Sequence, residues 1–338
     1  VDSVLDTSHR VFVDGDLNAF EPSGRRALFL DQRMRRDLAD SLRYIFNQSQ
    51  GLLTVPEISI QSFLTQLEKH PVSPLAFSFY CDAVLAIEKN DLVEASRWLN
   101  ELVRFPVHPG GPAVTALADP TQDALARRIV RYIDTDPTIT LEVFAPSHAA
   151  AENCRALIAG AFELLEAGDP EQAAEIRALL REIVLAAGAE DPKALTFDGA
   201  SSFMLWGGII INANRRDDEL AMAQMLVHES THNLLFGLCA DEALVENSDE
   251  DLYSSPLRQD QRPMDGIYHA TFVTARMYRV VQRLLDRGVL SLSSQEKARK
   301  ELAEIRRLFD QGIKVVRAQG KLTPLGEAIM RGAELYMG

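Results

Sequence analysis

Leu226-Val227-His228-Glu229-Ser230-Thr231-His232-Asn233-Leu234 is the stretch on which the fold and the chemistry turn. Its spacing is HExxH. On an α-helix, residues four apart lie about 40° apart around the axis and one turn apart along it. Both imidazoles then project from one face and can share an ion at about 2.0–2.1 Å each. The flanking sequence from Leu220 to Ala240 is apolar nearly all round, which marks a buried helix. Polar residues bunch in its middle, at His228–Asn233. Two histidines and a carboxylate are costly to bury unless something pairs with them, and a cation is such a partner. The helix is therefore expected over about Asp218–Ala240, with His228 and His232 as metal ligands.

Working outward, two short strands are expected just ahead of this helix, at Ala194–Phe197 and Phe203–Asn212, the second interrupted by Gly207-Gly208. Thr138–Phe144 alternates polar and apolar residues as a third strand. Elsewhere the periodicity is helical. It marks Arg25–Phe46, Ile58–Lys69, Pro74–Glu88, Leu92–Arg104, Thr121–Tyr132, His148–Ala167 and Pro170–Ala187 before the motif. It marks Pro263–Arg287, Ser294–Ala318 and Thr323–Tyr336 after it. The fold class is mostly α (α+β): a helical domain with a small β element packed ahead of the buried HExxH helix. Phe105–Pro112 carries three prolines and two glycines and reads as a linker. It divides residues 1–112, a helical region suited to peptide docking, from residues 113–338, the metal-binding catalytic domain.

Bulk composition narrows the partners. The chain has 338 residues and a net charge of −14, which disfavours a non-specific grip on nucleic acid or anionic lipid. No apolar run is long enough to span a bilayer, and no signal peptide is evident. The 3 cysteines, Cys81, Cys154 and Cys239, are far apart, which argues against a disulfide framework and for a reducing, cytoplasmic location.

A third ligand must come from outside the motif. The continuation HExxHxxGxxH fails, because Leu235 and Leu238 stand where its glycine and histidine belong. Glu242 and Glu246 lie too close to His232 for the chain to turn and come back. His269 suits better, near the start of the helix opened by Arg262-Pro263 and on one face with Phe272, Val273 and Arg276. The remaining histidines, His9, His70, His108 and His148, are scattered.

The segment from about Phe203 to Leu285 resembles the HExxH-type, 2-oxoglutarate-dependent peptide β-hydroxylases that modify ribosomally made peptides. The resemblance rests on Gly208-Ile209-Ile210-Ile211-Asn212, on His228–His232, on Ser255-Pro256-Leu257-Arg258, on Arg262-Pro263 and on Gly266-Ile267-Tyr268-His269. It implies Fe(II), with 2-oxoglutarate and O₂ as co-substrates, a precursor peptide as substrate, and hydroxylation of a side-chain (β) carbon. It maps the iron ligands onto His228, His232 and His269. That set departs from the two-His-one-carboxylate triad, and Glu229 or Asp265 is the alternative third ligand. The distal carboxylate of 2-oxoglutarate calls for a cation, with Arg258, Arg262 and Arg276 as candidates. Glu229 carries two readings: a group that orients an imidazole in an oxygenase, or the general base of a zinc, Zn(II), HExxH metallopeptidase. In the peptidase, Phe203–Asn212 would be the edge strand along which substrate pairs. A third reading is a scaffold that binds peptide and keeps a relict site.

Overall fold

The computed structural model describes residues 17–49, 51–105, 110–133, 141–189, 196–215, 217–256 and 260–338. Eleven α-helices and seven short strands lie among the described residues. Ahead of the sheet come α1 (Gly24–Ser49), α2 (Glu57–Lys69), α3 (Pro74–Glu88) and α4 (Leu92–Leu102). Then follow β1 (Ala113–Ala116), α5 (Ala124–Ile133), β2 (Val143–Phe144), α6 (His148–Gly168), α7 (Pro170–Leu179) and β3 (Glu182–Gly188). The site-bearing part runs through β4 (Gly199–Ser201), a 3₁₀ turn (Phe203–Leu205), β5 (Gly208–Asn212) and α8 (Glu219–Leu238). It continues with a hairpin of β6 (Leu252–Ser254) and β7 (Gln261–Pro263), then α9 (Met264–Asp286), α10 (Leu292–Gln319) and α11 (Pro324–Met337). The mostly helical α+β architecture is as expected. None of these helices is long and apolar enough to cross a membrane.

The sheet runs β1-β3-β5-β4, with β1, β3 and β5 parallel and β4 antiparallel to β5; β2 pairs antiparallel with β3. It separates two apolar cores. Ile183, Leu185, Ile209 and Ile211 point into one, and Val184, Ala186 and Ile210 into the other, as the two-residue period of a strand requires. Strands covered on both faces read as unbroken apolar runs, and β3 and β5 do.

The structure departs from the expected elements in four places. The helix expected over Pro170–Ala187 ends at Leu179, and Glu182–Gly188 is instead β3, the strand at the centre of the sheet. A short apolar run with no alternation fits a buried strand and a buried helix equally well. Phe203–Asn212 splits into the 3₁₀ turn and β5, because Gly207 takes a φ of +81° and breaks the extension. The strand next to the motif helix is Gly199–Ser201, just past the expected Ala194–Phe197, the first half of which lies outside the described residues and the second half of which is not strand. Of Thr138–Phe144, only Val143–Phe144 is a described strand.

Helix α8 is the axis of the molecule. Asp218 caps it by accepting the Ala221 N–H at 2.7 Å, while Glu219 opposes the N-terminal dipole. It packs on α1, α6, α7, α9 and β4. Its first half (Leu220, Met222, Ala223, Met225, Leu226 and Val227) lies in one core and its last turns (Leu234, Leu235 and Leu238) in the other. The polar run His228–Asn233 falls where the two cores meet.

Candidate metal centre

Three polar residues of that run are satisfied locally. Ser230 and Thr231 donate their hydroxyls back to the Val227 carbonyl at 3.2 and 2.6 Å. Asn233 bridges outward: its Oδ1 accepts the Gly207 N–H at 3.1 Å, and its Nδ2 donates to the Glu229 carbonyl at 3.2 Å. This bond ties the motif helix to the turn before β5. Close packing reinforces the tie, since a Cβ at Gly237 would lie 2.7 Å from Trp206 Cη2. His228, Glu229 and His232 remain as the residues directed to the site.

The two motif imidazoles meet through Nε2, 3.3 Å apart, with ring planes at 62°. Two nitrogens bound to one tetrahedral ion at about 2.1 Å each stand roughly 3.4 Å apart, so the pair fits a shared cation. His228 Nδ1 rests 3.3 Å from Met277 Sδ on α9. His232 lies beside Phe236 at 6.4 Å between centroids, and Phe203 meets Phe236 edge-on at 6.3 Å. These neighbours restrict both rings.

His269 is buried, and α9 brings it to the same cluster, its ring nearly parallel to His232 and its Nδ1 3.4 Å from His232 Nδ1. That contact is with the nitrogen of His232 turned away from His228. Among the described residues, no three His, Cys, Asp or Glu side chains already surround a common point. As placed, His269 can orient His232 by hydrogen bonding; it becomes a third ligand if its side chain turns toward the Nε2 pair. Asp265, one turn earlier, has Oδ1 3.8 Å from His269 Nε2 and is half-exposed.

Desolvation holds the His232 pKa well below the ordinary histidine value, and the charges of His228, His269 and Arg262 add to the effect. Burial lowers His269 too, opposed by the Asp265 carboxylate. Both rings are therefore neutral near pH 7, the state in which imidazole binds a metal.

Glu229 is 3% exposed and its Oε1 lies 3.9 Å from His228 Nε2. Strand β4 crosses directly over it: a Cβ on Gly199 would lie 2.7 Å from Glu229 Oε1 and 2.6 Å from Met225 Sδ. A cleft of about 330 Å³ opens beside these groups, lined by His228, Glu229, Asp198, Gln224, Met277 and Glu301 among others. Sequence reasoning missed Met277 and Glu301. Met277 lies eight residues past His269 in sequence, close to two helical turns on, which could have marked it; Glu301 sits on α10 with no local signal, and Gln224 Nε2 donates to its carboxylate at 2.8 Å.

The three arginines part company. Arg262, on β7, bonds Asp260 at 3.1 Å and lies close enough to His232 for its charge to be felt. Arg276 is not at the site. It is fully buried, engaged with Glu175, with Gln172 Oε1 at 3.0 Å and with the Phe20 carbonyl, in a network that Arg26 and Glu175 complete at 2.7 Å. Two helical turns past His269 it is Met277 that meets His228, and Arg276, about 100° round α9 from it, points to Gln172 and Glu175 of α7. Arg258 lies outside the described residues, as do the helix candidates' remaining histidines His9 and His108. Glu242 and Glu246 are exposed. No protein-family model and no curated protein matches the chain.

Proposed function

We propose that the chain is an iron(II)- and 2-oxoglutarate-dependent oxygenase that hydroxylates a side-chain carbon of a peptide. The observation that supports this best is the all-imidazole cluster, in which His228 and His232 present two nitrogens to one point and α9 adds His269 beside them. Imidazole donors suit iron, and a sparse protein donor set leaves positions for a chelating oxo-acid. When bound, iron would supply the O₂ chemistry that no side chain possesses. Overall, one C–H bond becomes C–OH while 2-oxoglutarate and O₂ become succinate and CO₂. The chain's own residues have simpler tasks. His228 and His232 hold the ion, Met277 and Phe236 restrain their rings, and Arg262 offers positive charge near His232 for a carboxylate. Glu229 orients the donor set from beneath β4.

A second reading is favoured by a specific feature. Glu229 is buried under an antiparallel edge strand, beside a cleft that also reaches Asp198 and His228. A zinc peptidase uses a carboxylate so placed to take a proton from water, and an edge strand to hold an extended substrate. In that reading the strand is Gly199–Ser201 rather than the longer Phe203–Asn212.

Anaerobically purified protein is loaded with Fe(II) or Zn(II) and incubated with peptide. Succinate and one added oxygen atom on the peptide, dependent on iron, 2-oxoglutarate and O₂, support the oxygenase. Peptide cleavage with zinc, lost in Glu229→Gln, supports the peptidase. Binding of neither ion to the purified chain refutes both.

A further inference from the structure

A second cleft, of about 460 Å³, lies between α4 and α5, and its chemistry differs from the rest of the chain. Arg97, Arg127, Arg128 and Arg131 line it with Phe79 and Trp98, and Glu101 is the one acidic residue among its described lining. The chain as a whole carries −14. Four guanidiniums gathered on one face run against that balance.

The cleft has a built floor. Arg128 is 8% exposed and is stacked over Phe79, at 3.8 Å from the ring centroid, and over Trp98, at 4.5 Å. Its Nη1 also pairs with the buried Asp82 at 2.6 Å. This arginine is fixed before any ligand arrives. Asp82 serves Arg131 as well, at 3.1 Å, so one carboxylate answers two guanidiniums. Arg131 and Arg127 stand four residues apart on the same face of α5, both exposed. Arg127 forms no ion pair among the described residues. Arg97 stacks on Trp98, its neighbour on α4, at 4.5 Å, and its Nη1 pairs with Glu94 at 3.1 Å, which leaves its other guanidinium nitrogens for a ligand. The rim thus keeps guanidinium N–H donors facing solvent above an aromatic floor.

We propose that this cleft binds an acidic peptide segment, with its carboxylates on Arg127, Arg131 and Arg97 and its apolar side chains against Phe79 and Trp98. Guanidiniums match carboxylates in a planar, two-pronged fashion. An exposed apolar residue at the rim, Leu125, extends the apolar part. A nucleic acid fits less well. Polyphosphates need a basic surface continued over many phosphates, and the strongly negative remainder of this chain opposes one. The proposal does not depend on the metal centre or on its reaction.

The test measures fluorescence anisotropy of a labelled Glu-Glu-Phe repeat peptide, with a Lys-Lys-Phe repeat and an oligothymidylate as competitors. Arg127→Glu/Arg131→Glu is the variant, and Arg127→Glu alone is the milder control should the pair disturb folding. Saturable binding of the acidic peptide that weakens with salt, and is at least about tenfold weaker in the double variant, is the expected result. Unchanged metal content and melting temperature in the variants show that the fold is intact. No saturable binding, equal affinity in wild type and Arg127→Glu, or tighter binding of the oligothymidylate overturns the proposal.

Discussion

Gly199→Ala adds a single methyl group to β4, and the neighbourhood leaves no room for it. The new Cβ would lie 2.7 Å from Glu229 Oε1 and 2.6 Å from Met225 Sδ, where ordinary contact begins at about 3.4 Å. Something must therefore move by roughly 0.7–0.8 Å. The backbone at Gly199 is not in the left-handed region, so the effect is steric and not a matter of chain conformation. Met225 is flexible and can yield by rotation. Glu229 is 3% exposed and hemmed by the strand above it, so it retreats or lifts β4. Overpacking of this kind costs about 1–3 kcal/mol. A displacement approaching 1 Å at a group that positions reactants costs on the order of a hundredfold in rate. The expected variant is folded, melts a few degrees lower, retains its metal, and loses between about tenfold and a hundredfold of peptide turnover. Metal content, a thermal melt and the turnover assay on one preparation give all three numbers. Wild-type turnover with a wild-type melt would show that β4 does not press on Glu229, and both functional readings would lose their account of the cleft.

Arg276→Met removes a buried guanidinium from Glu175. Glu175 keeps Arg26, so the cost falls near the lower end of the roughly 3–5 kcal/mol typical of a broken buried pair; denaturant melts should show that loss, with no selective change in 2-oxoglutarate binding by the folded protein. His228→Ala and His232→Ala should each abolish metal binding, measured by metal analysis after dialysis. His269→Ala separates two roles: a ligand takes the metal with it, whereas a group that orients His232 leaves metal bound but about 10–100-fold more weakly. For the metal-free protein, the lowered His232 and His269 pKa values mean that the unfolded chain binds more protons, so stability rises with pH and is lost as pH falls through about 6.5 toward the folded values. Each imidazole contributes at most ~1.4 kcal/mol per pH unit, His232 less because it keeps some solvent contact. A melt series in which His232→Phe/His269→Phe shows the same slope as wild type would refute this assignment.

What could be read from the sequence was what depends on local spacing. The motif helix, its burial and the face shared by His228 and His232 follow from a 3.6-residue period over twenty residues, and α9 follows from Arg262-Pro263 at its start. His269 lies beside His232, on the nitrogen turned away from His228, because a helix after a hairpin returns along its predecessor. Glu182–Gly188 was illegible for the opposite reason: what makes it a strand is pairing with β1 and β5, partners remote in sequence, and its apolar run alone does not tell helix from strand. Arg276 misled because the residue that meets the motif at that level of α9 is Met277, and its neighbour Arg276 lies about 100° round the helix, toward α7. Its true partner, Glu175, lies about a hundred residues earlier.

The position of the site follows from how the sheet divides the interior. Alternate residues of β3 and β5 feed two cores, and a single helix, α8, takes part in both. At the crossing between them the helix meets neither core fully, and there a polar run is least costly to place. The local bonds of Ser230, Thr231 and Asn233 confine the expense to His228, Glu229 and His232, one helical turn of residues. Edge strand β4 covers Glu229 without a side chain of its own, because Gly199 carries none, and so leaves the cleft open beside it. A side chain at Gly199 would press on the carboxylate and on Met225 at the wall of that cleft, which is why the smallest substitution there probes the whole arrangement.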